Sequence, residues 1–220
     1  MKKGIFTLTI VAFLFAFTSC ETQEEKVTLN FSGDIMVDLG DTDADVLAFV
    51  TASDGSAVTV SGVDYNKAGE QMATFTAGNT TENKEVKVKA EKLAGRYTIA
   101  YYTADGSLMT QGDGWKIKVV EGDAYNQIKI PSTIETGDKT ILTDIESLIV
   151  TFNGSKEPTI EDYEGGFLFM STPPTAEWEF SEIEYGLDES GKYAIKGFRM
   201  DGYKAGYNDF YYTVKLTKIK

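Results

Sequence analysis

The sequence predicts an all-β protein, and three observations lead to that prediction. Short runs rich in β-branched and aromatic residues recur along the chain, and Gly, Asp and Asn separate them, as turn residues separate strands. In several runs, such as "EVKVKA" at 85–90, apolar and charged residues alternate, which is the period of a half-buried strand. No amphipathic helix of useful length interrupts the pattern.

The first half of the chain, residues 27–131, is organised like a β-sandwich. Its strand-like runs are "VTLNF", "VLAFVTA", "AVTVSG", "MATFTAG", "EVKVKA", "RYTIAYYTA", "WKIKVV" and "QIKI". In "KLAGRYTIAYY" the position of Tyr97 resembles the tyrosine corner of immunoglobulin-like sandwiches, whose hydroxyl bonds to the backbone a few residues upstream. The resemblance implies an immunoglobulin-like domain in which 97–103 is strand F and 115–121 is strand G.

The composition changes after this segment. "PSTIETGDKT" at 131–140 has the character of a connection, so we expect a linker at 132–139. Residues 140–220 are richer in aromatic side chains and contain the runs "SLIVTFNG", "GGFLFMS", "AEWEFSEIEY", "KYAIKGFRM" and "DFYYTVKLTKI". These runs predict a second antiparallel β domain at 140–220.

One of these runs predicts a local irregularity. In "AEWEFSEIEY" the aromatic and aliphatic residues lie on one face at the start and on the other face at the end. A β-bulge near Ser181–Glu182 would add one residue and return all of them to a common face. The glutamates at 177, 179, 182 and 184 would then share the opposite face. That arrangement indicates a solvated surface rather than the paired carboxylates of a glycosidase.

The start of the chain has the layout of an export signal. Lys2 and Lys3 precede an apolar run at 5–17, which is shorter than the roughly 20 residues needed to cross a bilayer. The run ends in "FTSC", which resembles the lipobox of bacterial lipoproteins. The resemblance implies that 1–19 is a signal peptide, that Cys20 is diacylated and becomes the new N-terminus, and that 20–26 is a tether. The alternative is an ordinary signal peptide with a chance cysteine.

The net charge of the chain limits its binding partners, and the residues after Cys20 indicate its location in the cell. "CETQEEK" at 20–26 resembles the surface-export signal of lipoproteins from Gram-negative gut anaerobes, which implies the outer membrane and its outward face, with the periplasmic face as the alternative. The formal net charge of −13 argues against nucleic acid, whose phosphates require Lys and Arg. We therefore expect the acyl chains to be the only membrane contact.

Catalytic and metal-binding residue sets are hard to find in this sequence. It contains no histidine and one cysteine, which excludes Ser-His-Asp catalysis and most zinc sites, so we expect no enzyme, cofactor or resident metal. "DTDADV" at 41–46 places three aspartates at the first spacings of an EF-hand, but Val46 and Ala52 replace the required Gly and Glu. A looser oxygen site at Asp41, Asp43 and Asp45 remains open beside a plain acidic loop.

The clearest hint of binding lies near the C-terminal strands. In "DGYKAGYNDFYY", Tyr203 and Tyr207 fall in a predicted loop, where aromatic rings can contact a sugar or another flat ligand. Trp178 is a further candidate as a platform at a strand edge. The alternative is that the loop packs its rings onto the sandwich.

A second resemblance concerns haem. "SGKYAIKGFRMDGY" with the aromatic strand after it is similar to the C-terminal end of HmuY-type haem-carrier lipoproteins, which would imply haem capture through Met170 and Met200, since no histidine is present. Both methionines could equally fill gaps in the core. The sequence therefore favours a non-enzymatic, lipid-anchored binding or adhesion protein with a glycan or protein ligand. The alternative is a lipoprotein that captures a glycan or haem beside an outer-membrane transporter.

Overall fold

The computed structural model describes residues 26–108, 115–131, 133–136, 139–142, 147–161, 163–165, 176–206 and 210–219. The predictions for the signal peptide, for Cys20, for Met170 and for Tyr207 lie outside these ranges. Within them the regular secondary structure is almost entirely β-strand, with one short helix, α1 (Asp43–Leu47), and one 3-10 turn (Glu91–Leu93). The predicted all-β class is confirmed.

The first strands form two small sheets. They are β1 (Leu29–Phe31), β2 (Ile35–Asp38), β3 (Val50–Ala52), β4 (Thr59–Ser61), β5 (Gly69–Ala77) and β6 (Thr80–Lys89). Strands β1 and β3 pair with each other, and the others form a four-stranded sheet in the order β2-β6-β5-β4. All pairs are antiparallel except β2 with β6, which is parallel.

The remaining strands form one large antiparallel sheet. They are β7 (Gly95–Thr103), β8 (Trp115–Glu121), β9 (Gln127–Ile130), β10 (Thr133–Thr136), β11 (Lys139–Leu142), β12 (Leu148–Asn153), β13 (Lys156–Ile160), β14 (Tyr163–Gly165), β15 (Ala176–Leu187), β16 (Tyr193–Tyr203) and β17 (Phe210–Lys218). The order in the sheet is β13-β12-β9-β8-β7-β17-β16-β15-β14, and β10 pairs with both β8 and β11.

The backbone pairing crosses the boundary that the composition predicts. Strand β7, in the first half of the chain, pairs with β17 from Tyr97 opposite Lys218 to Thr103 opposite Tyr212. Strand β9, also in the first half, pairs with β12, which lies beyond the predicted boundary. The segment expected to be a linker instead contains β10, which begins a hairpin with β11. The two halves therefore share one sheet, because strands distant in the sequence supply each other's hydrogen bonds.

The predicted tyrosine corner is present. Tyr97 is fully buried, and its hydroxyl donates a hydrogen bond to the carbonyl oxygen of Leu93 at 2.5 Å. The same hydroxyl accepts a bond from the backbone N–H of Ile195 at 3.3 Å. Burial raises the pKa of the Tyr97 hydroxyl to about 12, although the Ile195 N–H acts in the opposite direction. The bond to Leu93 thus fixes the turn before β7, and the bond from Ile195 links β7 to β16.

The predicted bulge in β15 is also present. The register with β16 shifts between Ser181 and Glu184, and Glu182 has a left-handed φ of 51°. The shift returns Trp178 and Ile183 to the buried face. The four glutamates of this strand are all exposed, as the prediction of a solvated face requires.

A pair of glycines brings the four-stranded sheet against the large sheet. The backbone N–H of Gly154 donates to the carbonyl oxygen of Ala68 at 2.9 Å. Gly154 has a φ of +64°, and a Cβ there would lie 2.0 Å from the carbonyl oxygen of Glu70. A Cβ on Gly69 would lie 2.3 Å from the nitrogen of Gly154. Only residues without a side chain allow the two backbones to approach this closely.

Candidate functional site

The candidate site lies on the outer face of the large sheet, where β15, β16, β17 and β7 run side by side. Along β16, Met200 and Gly202 are buried. The residues that alternate with them point the other way: Arg199 and Asp201 are half-buried, and Tyr203 is exposed at 38%. Strands β17 and β7 alternate in the same way, so one face of this four-stranded surface belongs to the core and the other faces solvent.

Trp178 does not lie on the outer face. It is only 2% exposed, and its ring packs edge-on against Phe210 with 5.4 Å between the ring centroids. Gly202 lies opposite Trp178 on β16, and a Cβ there would be 2.9 Å from the indole ring and 2.5 Å from Phe210. The predicted role of Trp178 as a platform therefore needs correction, since its strand face is the one that the core covers.

Tyr203, a predicted binding residue, lies in a strand and not in the loop that the sequence predicts. It is the last residue of β16, and it lies opposite Glu177 of β15. Strand alternation directs it away from Trp178 and toward solvent. Tyr207, the other predicted binding residue, lies outside the described residues.

Arg199, Asp201 and Tyr211 form a fixed cluster beside Tyr203. The Arg199 Nε lies 2.8 Å from Asp201 Oδ2, and Arg199 Nη2 lies 2.6 Å from Asp201 Oδ1, which is a bidentate pair. The hydrogen bond to Asp201 raises the pKa of Arg199, so the guanidinium stays charged. The guanidinium carbon lies 3.9 Å from the centroid of the Tyr211 ring, and the Tyr211 hydroxyl donates to the Ala104 carbonyl oxygen at 3.1 Å.

A second tyrosine and cation lie further across the sheet. The Nζ of Lys215 on β17 lies 4.8 Å from the centroid of the Tyr102 ring on β7. Tyr102 is half-buried, and its backbone lies opposite Thr213. Cations placed over aromatic faces in this way are weakly attracted to the ring and limit its movement.

The strand registers place three of these tyrosines on a diagonal line. Asp201 lies opposite Tyr211, so Tyr203 is displaced from Tyr211 by one strand and two residues. Thr213 lies opposite Tyr102, so Tyr211 is displaced from Tyr102 by the same step. We call Tyr203, Tyr211 and Tyr102 the tyrosine diagonal. Arg199 and Lys215 lie along it, and Asp201 lies beside Arg199.

The edge of this surface is acidic. Glu177 and Glu179 are exposed on β15, next to Tyr203 and Asp201 respectively. Glu182 Oε1 lies 3.9 Å from Arg199 Nη1, a weak and exposed ion pair. The cations and Asp201 therefore lie along the tyrosines, and the exposed glutamates lie on the neighbouring strand β15.

The aspartates considered for calcium are acceptors within the fold. Asp41 Oδ2 accepts the backbone N–H of Asp38 at 2.8 Å. Asp43 Oδ1 accepts the Tyr65 hydroxyl at 2.8 Å, and Asp45 Oδ2 accepts the Thr42 N–H at 2.8 Å as part of a capping box for α1. Among the residues that the structure describes, no group of three or more His, Cys, Asp or Glu could hold a metal ion.

Met200, one of the two thioethers considered for haem, is only 2% exposed. It lies opposite Phe180 of β15 and Tyr212 of β17 in the sheet. This environment is typical of a methionine that fills space in a core.

Sequence reasoning did not identify Tyr102, Arg199, Tyr211 or Lys215 as parts of a surface. Alternation along β16 and β17 was a signal that could have placed Arg199 and Tyr211 on the face of Tyr203. No comparable signal exists for Tyr102, because its place beside Tyr211 depends on the pairing of β7 with β17.

The fold and this surface together define an all-β protein with an aromatic, partly charged sheet face. Comparison of the chain with protein-family models, with curated proteins and with solved structures gives no match in any of the three. None of the helices in the described ranges has the length and apolar character required to cross a bilayer.

Proposed function

We propose that this chain is a non-enzymatic, lipid-anchored protein of the outer membrane that binds or adheres to a ligand at the cell surface. The observation that carries the binding role is the exposure of Tyr203 on an outward sheet face, beside the fixed pair of Arg199 and Asp201. An exposed ring next to fixed polar groups supports recognition of a ligand with both apolar and hydroxyl surfaces.

The anchoring role rests on the lipobox-like sequence that ends at Cys20. Acyl chains on this residue would bury methylene groups at about 0.8 kcal/mol each, and two chains suffice for stable attachment. The net charge of −13 gives no electrostatic attraction to anionic lipid.

The anchor is tested by fractionation of cells that express Cys20→Ala. We expect this variant to leave the membrane fraction, because the charge of the chain offers no substitute attraction. Ser19→Ala is the matched control, since it keeps a small side chain before the cysteine and should stay with the membranes. Retention of Cys20→Ala in outer membranes washed with high salt would contradict the lipoprotein proposal.

The binding role is tested with residues 21–220, which keep every described residue, on an array of glycans and surface proteins. Tyr203→Ala should weaken the strongest signal by about three- to tenfold, the effect of one stacked ring. Leu187→Ala is the control, since Leu187 is 50% exposed at the other end of β15. Equal binding by both variants would remove Tyr203 from the site. Tyr207→Ala tests the other predicted ring.

Capture of a glycan for an outer-membrane transporter is the alternative role, and it would use the same surface. The two roles differ in cells: loss of Tyr203 should reduce ligand uptake if the protein captures, and should reduce attachment if the protein adheres. Haem capture is not favoured, because Met200 lies in the core.

A further inference from the structure

We infer that the ligand is an uncharged, chain-like polysaccharide that lies along the tyrosine diagonal and crosses β16, β17 and β7. This inference rests on the proposed function, because it concerns the same surface. It adds the class of ligand, the direction in which the ligand lies, and two further contact residues, Tyr211 and Tyr102.

The spacing of the tyrosines favours a ligand with repeated rings. Neighbouring strands lie about 4.8 Å apart, and two residues along a strand span about 6.7 Å. Each step of the diagonal is therefore about 8 Å, and the line from Tyr203 to Tyr102 is about 16 Å long. A small ligand would contact one ring, whereas a polymer of sugar rings would contact all three.

The cations prepare this surface for binding. Asp201 fixes the guanidinium of Arg199, which contacts the Tyr211 ring at 3.9 Å, and Lys215 lies 4.8 Å from the Tyr102 ring. Tyr211 and Tyr102 are only half-buried beside these cations, so part of each side chain stays accessible to a ligand. Rings that are already held lose little conformational freedom on binding, which favours affinity.

The charges favour an uncharged polymer. Exposed Glu177 and Glu179 lie beside Tyr203 and Asp201, where they would repel an acidic polysaccharide. Arg199 and Lys215 along the diagonal would repel a basic one. A neutral polysaccharide meets neither penalty, and its hydroxyls can donate to Asp201 and accept from Arg199 in charge-assisted hydrogen bonds.

The test uses residues 21–220 in native gels that contain one polysaccharide each. The neutral probes are xylan, laminarin, yeast mannan, dextran and amylose, and the acidic probes are polygalacturonate and heparin. We expect at least one neutral probe to retard the protein and neither acidic probe to do so. The disaccharide and hexasaccharide of the retarding polymer are then titrated by calorimetry.

Variants at the far end of the diagonal provide the sharpest comparison. Tyr102→Ala should lower the affinity for the hexasaccharide about three- to tenfold and leave the affinity for the disaccharide within about twofold. Tyr125→Ala is the matched control, because Tyr125 is also half-buried with a cation, Lys87, 5.8 Å from its ring, but lies outside the diagonal. Melting temperatures confirm that each variant is folded, and Tyr211→Ala repeats the test should Tyr102→Ala not fold.

The outcomes separate this inference from the proposed function. Retardation by polygalacturonate or heparin would overturn the uncharged ligand. Binding that depends on Tyr203 but is unchanged in Tyr102→Ala and Tyr211→Ala would overturn the diagonal and leave the proposed function intact. Binding of a protein ligand with no retardation by any polysaccharide would overturn the polysaccharide ligand and would also leave the proposed function intact. Failure of every glycan and surface protein to bind would overturn both.

Discussion

Removal of the Tyr97 hydroxyl is the most direct test of how the two halves of the chain are joined. In Tyr97→Phe the ring stays in place, so no cavity forms. The carbonyl oxygen of Leu93 loses its donor at 2.5 Å, and the N–H of Ile195 loses its acceptor at 3.3 Å. Both residues are fully buried, so water cannot easily replace the hydroxyl.

The size of the effect follows from these two contacts. A buried polar group without a partner costs about 1–3 kcal/mol, and the longer bond to Ile195 contributes the smaller share. We expect Tyr97→Phe to lower the free energy of unfolding by about 2–3 kcal/mol. For a chain of this size that corresponds to a fall in Tm of roughly 5–10 °C.

The assay is urea denaturation at pH 7, supported by calorimetry. Tyr102→Phe is the control, because it removes a hydroxyl from the half-buried face of the same strand and should change stability by less than about 0.5 kcal/mol. Should the two variants unfold at the same urea concentration, the hydroxyl of Tyr97 does not satisfy buried groups and the reasoning fails.

The same hydroxyl predicts a dependence on alkaline pH. Its pKa is raised to about 12 in the folded chain from the ordinary tyrosine value of 10.0, chiefly by burial, so the unfolded chain loses this proton first. The stability linked to Tyr97 is therefore complete below pH 10 and is lost as the pH rises from 10 to 12, by roughly 2–3 kcal/mol in total. Tyr97→Phe should show a correspondingly shallower alkaline decline in urea titrations; an unchanged slope would contradict this assignment.

Two further predictions concern backbone geometry. Gly154→Ala should lower the free energy of unfolding by about 2–4 kcal/mol, because its Cβ would meet the Glu70 carbonyl oxygen at 2.0 Å and its φ is +64°. Gly191→Ala has a similar φ of +77° but open space around it, so it should cost only about 1 kcal/mol, and equal costs in urea titrations would argue against the close contact. Glu182→Gly relieves the left-handed φ of 51°, so it should be more stable than Glu184→Gly by about 1–2 kcal/mol. Thermal unfolding of the pair decides this, and the reverse order would contradict the geometry of the bulge.

Local features of this fold could be predicted from the sequence, because local residues determine them. The hydrogen bond of Tyr97 reaches only four residues back, and "KLAGRY" contains both partners. The bulge at Ser181–Glu182 follows from a break in alternation within ten residues. In both cases steric fit and burial within one short segment fix the geometry.

Long-range pairing could not be predicted in the same way. Strand β7 accepts β17 as its neighbour, although more than a hundred residues separate them in the sequence. Judged by β-strand propensity alone, many strands with alternating apolar and polar residues could pair with the backbone of β7 equally well. The predicted boundary at 132–139 overlooked this pairing, and the contribution of Tyr102 to the tyrosine diagonal was missed for the same reason. The burial of Trp178 depends on another long-range contact, the packing of Phe210 against its ring.

The position of β17 between β7 and β16 has a consequence for how the chain reaches its folded state. Of the described strands, β17 leaves the ribosome last, yet it supplies hydrogen bonds to both neighbours in the middle of the sheet. Contacts of such high contact order slow folding, because a long loop must close before they form. The large sheet therefore stays incomplete until β17 has been synthesised, and until then β7 and β16 lack the neighbour that joins them.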